Sequence, residues 1–176
     1  MIRSFRGIAP RIAASALVTP VADVLGDVLL AEGAACWAGT VLRGDVHWIR
    51  VGTGSQLLAG TVGHVTGGRH PLEIGASVVA GPAAVLHGCV LEDGVAVGAG
   101  AVILDGAVVE AGAVVSAGAV VTPGTRIPAG VLVAGVPARV LRPLTGEERE
   151  NLAARAAAWR QYAARFKATA RPVPLT

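Results

Sequence analysis

The sequence predicts an all-β solenoid, a stack of coils built from short parallel strands, followed by one C-terminal α-helix. Aliphatic residues recur at every sixth position from Leu91 to Val133 without a miss. Glycine recurs in step with them, from Gly94 to Gly130. A period of six fits neither an α-helix nor a long alternating strand. It is typical of short strands joined by tight turns, in which one aliphatic side chain per side enters a narrow core and glycine supplies the positive φ at the corner.

Composition excludes several other classes of protein. Of the 176 residues 53% are hydrophobic and 15% are charged, which excludes a disordered chain. The charge-free segment 74–91 contains glycines, a proline and a histidine inside the repeat, so we expect no membrane span. The N-terminus lacks a convincing signal peptide, and we expect a cytoplasmic protein. Cys36 and Cys89 have no CxxC partner and are expected to be buried thiols.

Basic residues exceed acidic ones from position 139 to the C-terminus. No aromatic residues interleave with them in a nucleic-acid-binding pattern, so we interpret this excess as a solvated helix face and expect no nucleic-acid partner. Trp37, Trp48 and Trp159 are interpreted as packing anchors.

The repeat also extends upstream of Leu91, with interruptions. Leu30, Cys36 and Leu42 keep the six-residue step, and it resumes after an insertion. Segment 67–71 breaks it and predicts a loop that protrudes from a corner. Three sides of six residues give a coil of about 18 residues, so the chain has room for about seven coils.

The repeat fades after segment 135–139, and a helix is predicted to begin at Thr145. Glu148 stands three residues further on, which predicts a capping box. An apolar stripe follows at spacings of three and four residues and should pack on the coils of the same or a neighbouring chain. Its members are Leu152, Ala156, Trp159, Ala163 and Phe166. The expected division is a β-helix domain at 1–144, the helix at 145–170 and a tail at 171–176.

Several local motifs occur in an order and spacing that resembles the γ-class carbonic anhydrase family. The specific ones are Arg43-Gly44-Asp45, Gly63-His64-Val65-Thr66 and Leu86-His87-Gly88-Cys89. A Gly-x-Pro-Ala-Arg element at 135–139 is shared with many hexapeptide acyltransferases and is weaker support. The resemblance covers nearly the whole chain.

This resemblance implies a homotrimer of left-handed parallel β-helices with a zinc-type metal at each subunit interface. In such a lyase three histidines, two from one chain and one from the next or an equivalent split, hold the metal, and its bound water attacks CO2 to give bicarbonate. His64 and His87 match two ligand positions. The third position holds Pro82. We therefore expect zinc, or another divalent metal, to bind weakly or with partial occupancy.

The resemblance also makes Arg43 and Asp45 an ion pair between subunits beside the site. His47 and His70 are candidate substitute ligands, although solvated or interface histidines are the simpler interpretation. Positions 64 and 82 are one 18-residue coil apart, so they are predicted to stack on one edge of the prism, with His87 on another side of the coil.

Further departures from the family pattern favour a degraded or remodelled site. Leu58 and Ala59 replace a polar pair that orients water or substrate, and Gly63 replaces an aliphatic core residue. Val131 and Val133 stand where a tyrosine is common.

Three functions remain open from the sequence. The first is an active or former γ-carbonic anhydrase. The second is a coenzyme-A-dependent acyltransferase on the same fold, with His70 as general base. The third is a non-catalytic assembly subunit. The break in the repeat around His70 is only about five residues long, which is short for an acyltransferase loop that carries a base and acceptor contacts.

Overall fold

The structure is a computed structural model that describes residues 1–171. It contains strands β1 to β20 and one helix, α1, at Gly146–Thr169. The strands in chain order are Ile2–Arg3, Arg11–Ile12, Leu17–Val18, Asp23–Leu30, Ala35–Cys36, Val41–Val51, Gln56–Leu57, Val62–His64, Leu72–Ile74, Val79–Ala80, Val85–His87, Val90–Leu91, Ala96–Val97, Val102–Ile103, Val108–Val109, Val114–Val115, Val120–Val121, Arg126–Ile127, Val131–Ala134 and Arg139–Pro143.

These strands form a left-handed parallel β-helix of about 7 turns, as predicted. Its triangular coils have three flat faces. Face 1 contains β8, β11, β14 and β17, and face 2 contains β9, β12, β15 and β18. Face 3 runs from β3 to β20, and its last pair, β19 with β20, is antiparallel. The long strands β4 and β6 bend across the corner between faces 1 and 2, because β6 pairs with β8 near its start and with β9 near its end.

The three corners of the prism carry different residues, and we name them accordingly. The histidine corner joins faces 1 and 2 and follows β8, β11 and β14. The proline corner joins faces 3 and 1 and contains Pro82. The glycine corner joins faces 2 and 3, and its turns contain Gly94, Gly112 and Gly130 at φ values between 63° and 69°. These positive φ angles confirm the role predicted for the repeated glycines.

The six-residue aliphatic repeat forms the core of the coils. Every member from Leu91 to Val133 is buried, at 3% exposure or less. Cys36 and Cys89 are free and buried, as expected. Burial in this apolar core raises the pKa of both thiols to about 12. The core therefore contains two inert thiols rather than a reactive site.

Helix α1 runs back along face 3 towards the N-terminal coils. Thr145 caps it and forms the predicted capping box with Glu148. Ala156 and Ala163 are buried against Trp37, and Trp159 and Phe166 pack on the same cluster. The apolar stripe thus packs on its own chain. The predicted tail at 171–176 lies outside the described residues apart from Arg171. Among residues 1–171, no helix has the length and apolarity needed to span a membrane.

The structure corrects the predicted stacking of positions 64 and 82. His64 is in register with His87, 23 residues later, whereas Pro82 lies in a turn whose next residue, Ala83, donates its backbone N–H to Ala59 O at 2.9 Å. The reason is the predicted loop. Its turn, closed by a bridge between Thr66 and His70, lengthens this coil beyond 18 residues.

Candidate metal centre at the histidine corner

The site residues come together because the parallel register stacks successive coils. His64 ends β8 and His87 ends β11, and the two residues are paired across adjacent strands. Asp105 follows β14 in the next coil, 18 residues after His87. Asp45 lies in β6, in the coil before His64. The side chains therefore form a row along the histidine corner.

The two imidazoles lie between two carboxylates in a continuous row of close polar contacts. His87 Nδ1 is 2.7 Å from Asp105 Oδ1, and His87 Nε2 is 3.0 Å from His64 Nδ1. His64 Nε2 is 3.1 Å from Asp45 Oδ1 and 2.8 Å from Nη2 of Arg43. Asp105 also accepts a hydrogen bond of 2.8 Å from the hydroxyl of Thr66. The outer nitrogen of each ring therefore lies within hydrogen-bond distance of a carboxylate.

The surroundings of the histidine row favour a neutral His64 and an ionised Asp105. Burial lowers the pKa of His64, and the Arg43 charge adds to this, while the hydrogen bond to Asp45 opposes it. Burial raises the pKa of Asp105, but hydrogen bonds from Thr66 and His87 outweigh that effect and the net pKa is lowered. A neutral imidazole oriented by a carboxylate is the form that ligates metals.

The pair fits two ligands of one metal ion. Two nitrogens bound tetrahedrally to zinc at about 2.05 Å are about 3.3 Å apart, close to the 3.0 Å between His64 Nδ1 and His87 Nε2. These two imidazole nitrogens are, however, the only ligands found at this site in the described residues. Among residues 1–171, no group of three or more His, Cys, Asp and Glu side chains is arranged to hold a metal ion. A single chain therefore does not supply a complete zinc site.

Pro82 lies at the opposite edge of face 1, at the proline corner. It is exposed, and Ala59 and Ala99, which lie on the neighbouring turns of this corner, are exposed as well. Proline has no side-chain donor atom. If the proline corner of one chain packs against the histidine corner of another, positions 59, 82 and 99 therefore contribute only small apolar groups.

Arg43 and Asp45 form an ion pair within one chain. Arg43 Nε is 3.3 Å from Asp45 Oδ2, and the Arg43 side chain is 52% exposed. An ion pair across a subunit interface stays a prediction for these residues. Their contacts with His64 do place both beside the two-histidine site.

The substitute ligands considered from the sequence lie apart from the imidazole pair. His47 accepts a hydrogen bond from the backbone of Trp48, and Trp48 stacks on Arg50 rather than joining the main aromatic cluster. The His70 ring packs over Gly106, where a Cβ would be 3.1 Å from its Cε1. In the described part of the chain no hydrogen bond joins either ring to His64 or His87.

Sequence reasoning missed Asp105, which holds the second histidine. The available signal was its position one 18-residue coil after His87, at a corner where the repeat otherwise has few charges. Two of the other departures from the family pattern, Leu58 and Gly63, have structural explanations. Leu58 packs with the cluster under α1. At Gly63, the side chains of Leu42 and Leu72 come within 2.6 and 2.9 Å of where a Cβ would lie, so they fill the missing core volume.

Comparison with known proteins gives relatives in bacteria and plants. The chain is 37% identical over 158 residues to Protein YrdA of Escherichia coli, covering 86% of each chain. It is 36% identical over 148 residues to the carbonic anhydrase of Geobacillus kaustophilus, covering 84% of this chain and 81% of the relative. It is 43% identical over 145 residues to mitochondrial gamma carbonic anhydrase 1 of Arabidopsis thaliana, covering 80% of this chain. The chain spans about half, 53%, of the length of that plant relative.

A crystal structure from Bacillus cereus, provisionally described as an acetyltransferase, superposes with a TM-score of 0.93. It is 31% identical, and the match covers 95% of this chain and 96% of the other. No family model matches the chain.

Proposed function

Because the chain belongs to the γ-class carbonic anhydrase family of hexapeptide-repeat proteins, we propose that it retains a degraded zinc-type site at a trimer interface. His64 and His87 of one chain would hold the ion, and water would complete its coordination. The proline corner of the neighbouring chain brings no third ligand. Zinc would bind weakly or substoichiometrically, and CO2 hydration would be slow or absent.

The observation that carries this proposal is the pairing of both imidazoles with carboxylates. Asp105 orients His87 so that its Nε2 faces His64, and Asp45 contacts the far nitrogen of His64. Such carboxylate–histidine pairs are what metal ligands need in order to present a lone pair in a fixed direction. A pair of solvated corner histidines would not require this arrangement.

An apolar ladder on face 1 supports the trimer. Its valines are in register across adjacent strands and point away from the core. They are half-buried in a single chain, except Val62, which is 37% exposed. The ladder consists of Val41, Val62, Val85, Val102 and Val120. A threefold ring that covers this face would remove the ladder from water and bring each histidine corner to a neighbour's proline corner.

When bound, the metal would supply a water of lowered pKa as nucleophile. The residues of this chain would position the ligands and attract the product anion. Asp105 and Asp45 hold the rings in position, and Arg43 places a positive charge beside His64, where a bicarbonate anion would be attracted. The side chain of Leu58 packs under α1 and supplies no amide to orient the substrate.

An acyltransferase is the second candidate, favoured by the description of the Bacillus cereus structure. Its proposed base, His70, lies in a turn of only five residues and packs over Gly106, which leaves little space for an acceptor. A non-catalytic assembly subunit is the third candidate and differs from the first by binding no metal. A cytoplasmic location stays a prediction, since the compartment of this chain is untested.

Isothermal titration with zinc tests the proposal on the intact protein and on Pro82→His. Zinc binding to four-ligand sites amounts to about 10–16 kcal/mol, so each ligand is worth about 3 kcal/mol or two decades in Kd. We expect the substitution to raise zinc affinity about a hundredfold. CO2 hydration, followed in a stopped-flow indicator assay, should recover less than affinity does.

Ala99→His is the matched control, because Ala99 is exposed at the same corner one coil further on. It should leave zinc affinity unchanged. Tight stoichiometric binding by the unmodified protein would mean that another group has taken the third position. No gain in Pro82→His, or an equal gain in the control, would contradict the assignment of the site.

A further inference from the structure

A groove between helix α1 and the glycine corner is separate from the histidine corner. Its volume is about 500 Å³, within the range of small-molecule sites. The floor is made of turn residues such as Ser77, Gly94 and Gly112, and the helix wall presents Leu152, Ala153 and Ala157. Apart from its two arginines, the groove is therefore lined mainly by small and apolar residues.

The groove exists because the facing residues are small. Glycine at the corner turns satisfies the positive φ and adds no side chain, as at Gly94 and Gly112. The facing helix positions are alanines apart from Leu152, so the helix and the corner leave a space between them in this stretch. Further along the chain α1 is held closely to face 3 by Trp159 and Phe166, which fill the space between helix and coils.

Two arginines mark the ends of the groove, and no carboxylate lines it. Arg149 donates a hydrogen bond of 3.2 Å to Leu144 O. Arg160 packs its aliphatic stem on the glycine corner, 3.1 Å from where a Cβ of Gly54 would lie. Within residues 1–171 the Arg160 guanidinium has no hydrogen-bond acceptor and no ion-pair partner. One end of an apolar groove thus carries an available cation.

The location keeps the groove accessible. The glycine corner lies between faces 2 and 3, opposite face 1 with its valine ladder. A trimer formed through face 1 leaves this corner at the outside of the assembly. The groove is thus independent of the proposed metal site.

We propose that this groove binds a straight-chain carboxylate, with the carboxylate on Arg160 and the alkyl chain along the alanines of α1. A planar guanidinium matches a single carboxylate with two parallel hydrogen bonds. The chain would lie over Ala157 and Ala153 and end near Arg149. The two arginines are three helical turns apart, about 16 Å, which an extended chain of about a dozen carbons approaches. Burial of its methylenes against the apolar walls supplies the affinity.

Isothermal titration of the full chain with sodium dodecanoate below its micellar concentration tests the proposal. We expect saturable binding of one molecule per chain. Arg160→Gln should weaken it about tenfold, because the charge-assisted hydrogen bonds are lost. Ala153→Phe should abolish it by filling the groove from an exposed helix position. Dodecanol should bind more weakly than dodecanoate.

Arg155→Gln is the matched control, since Arg155 is exposed and lies on another side of α1, and it should leave binding unchanged. Circular dichroism verifies that each variant is folded, and Ala157→Leu replaces Ala153→Phe if that variant is not. Binding that is non-saturable, that survives both groove-filling variants, or that is insensitive to Arg160→Gln would overturn the proposal. So would a change of oligomeric state in a groove-filling variant, which would identify the groove as a contact between chains.

Discussion

The substitution Gln56→Leu tests how the helix is attached to the coils. Gln56 lies in β7 and is fully buried. Its amide donates hydrogen bonds of 3.1 Å to Gly33 O and Gly54 O, and its carbonyl oxygen accepts one of 3.2 Å from Trp37 Nε1. Trp37 in turn stacks on Tyr162 of α1, with ring centroids 5.4 Å apart. One glutamine thus links two turns of the glycine corner to the aromatic cluster beneath the helix.

Leucine has a similar volume, so the change removes hydrogen bonds without opening a large cavity. It leaves the Trp37 N–H and two carbonyls without their partners, and each buried group left unpaired costs about 1–3 kcal/mol. The carbonyl of Gly33 lies near solvent, so leaving it unpaired costs less free energy of unfolding than the other two groups. We therefore expect a loss of about 3 kcal/mol. For a chain of this size that corresponds to a fall in Tm of about 6–12 °C.

Thermal unfolding at fixed protein concentration measures the effect, because an oligomer's Tm depends on concentration. Gln161→Leu is the control. Gln161 is exposed on α1, and its substitution should change the free energy of unfolding by less than about 0.5 kcal/mol.

A double-mutant cycle with Trp37→Phe separates the hydrogen bond from general packing. In the double variant neither the indole N–H nor its acceptor remains, so its loss should be smaller than the sum of the two single losses. Strict additivity, or a fall in Tm below about 2 °C for Gln56→Leu, would refute the reasoning.

Arg43→Ala should weaken the trimer by several kcal/mol, and Arg126→Ala by less than about one, because only the former leaves a charge unpaired in the proposed interface; sedimentation equilibrium compares them. Equal effects would argue against an interfacial role. Asp105→Asn should lower zinc affinity about tenfold by titration, since the oriented imidazole loses its carboxylate. Hydrogen bonds from Arg142 lower the pKa of Glu148 from 4.5 to about 2. Their contribution to the helix N-terminus should therefore be complete above pH 4.5 and disappear as the pH falls towards 2. Far-UV circular dichroism should show fraying of the helix N-terminus over this range, and Glu148→Gln should show no such change with pH.

The sequence by itself determined the solenoid, because its physical basis is local and repeated. A hexapeptide of this repeat places an aliphatic residue, and a small residue two positions before it, inward and a glycine at a corner, whichever coil it belongs to. The members of the six-residue repeat from Leu91 to Val133 are all buried in the structure. The capping box at Thr145 was equally readable, since its two hydrogen bonds join residues only three positions apart.

The sequence predicted only part of the composition of the site. His64, His87 and the vacant third position at Pro82 were identified from motifs that resemble a family. Their relative positions depended on the register of the coils, and the turn at Thr66–His70 shifts that register after His64. The partner of His64 is therefore the histidine 23 residues later rather than the residue one regular coil away.

Tertiary structure alone decided which polar side chains act together. Asp105 reaches His87 and Gln56 reaches Trp37 only because stacked coils bring distant residues into contact. The groove beside α1 is likewise a product of packing. The sequence does not distinguish the alanines and glycines that line the groove from those elsewhere in the chain. Period and turn chemistry are properties of neighbouring residues and can be read along a sequence. Contacts between coils depend on the length of every loop between them, so a single insertion changes the partners of the residues whose pairing spans it.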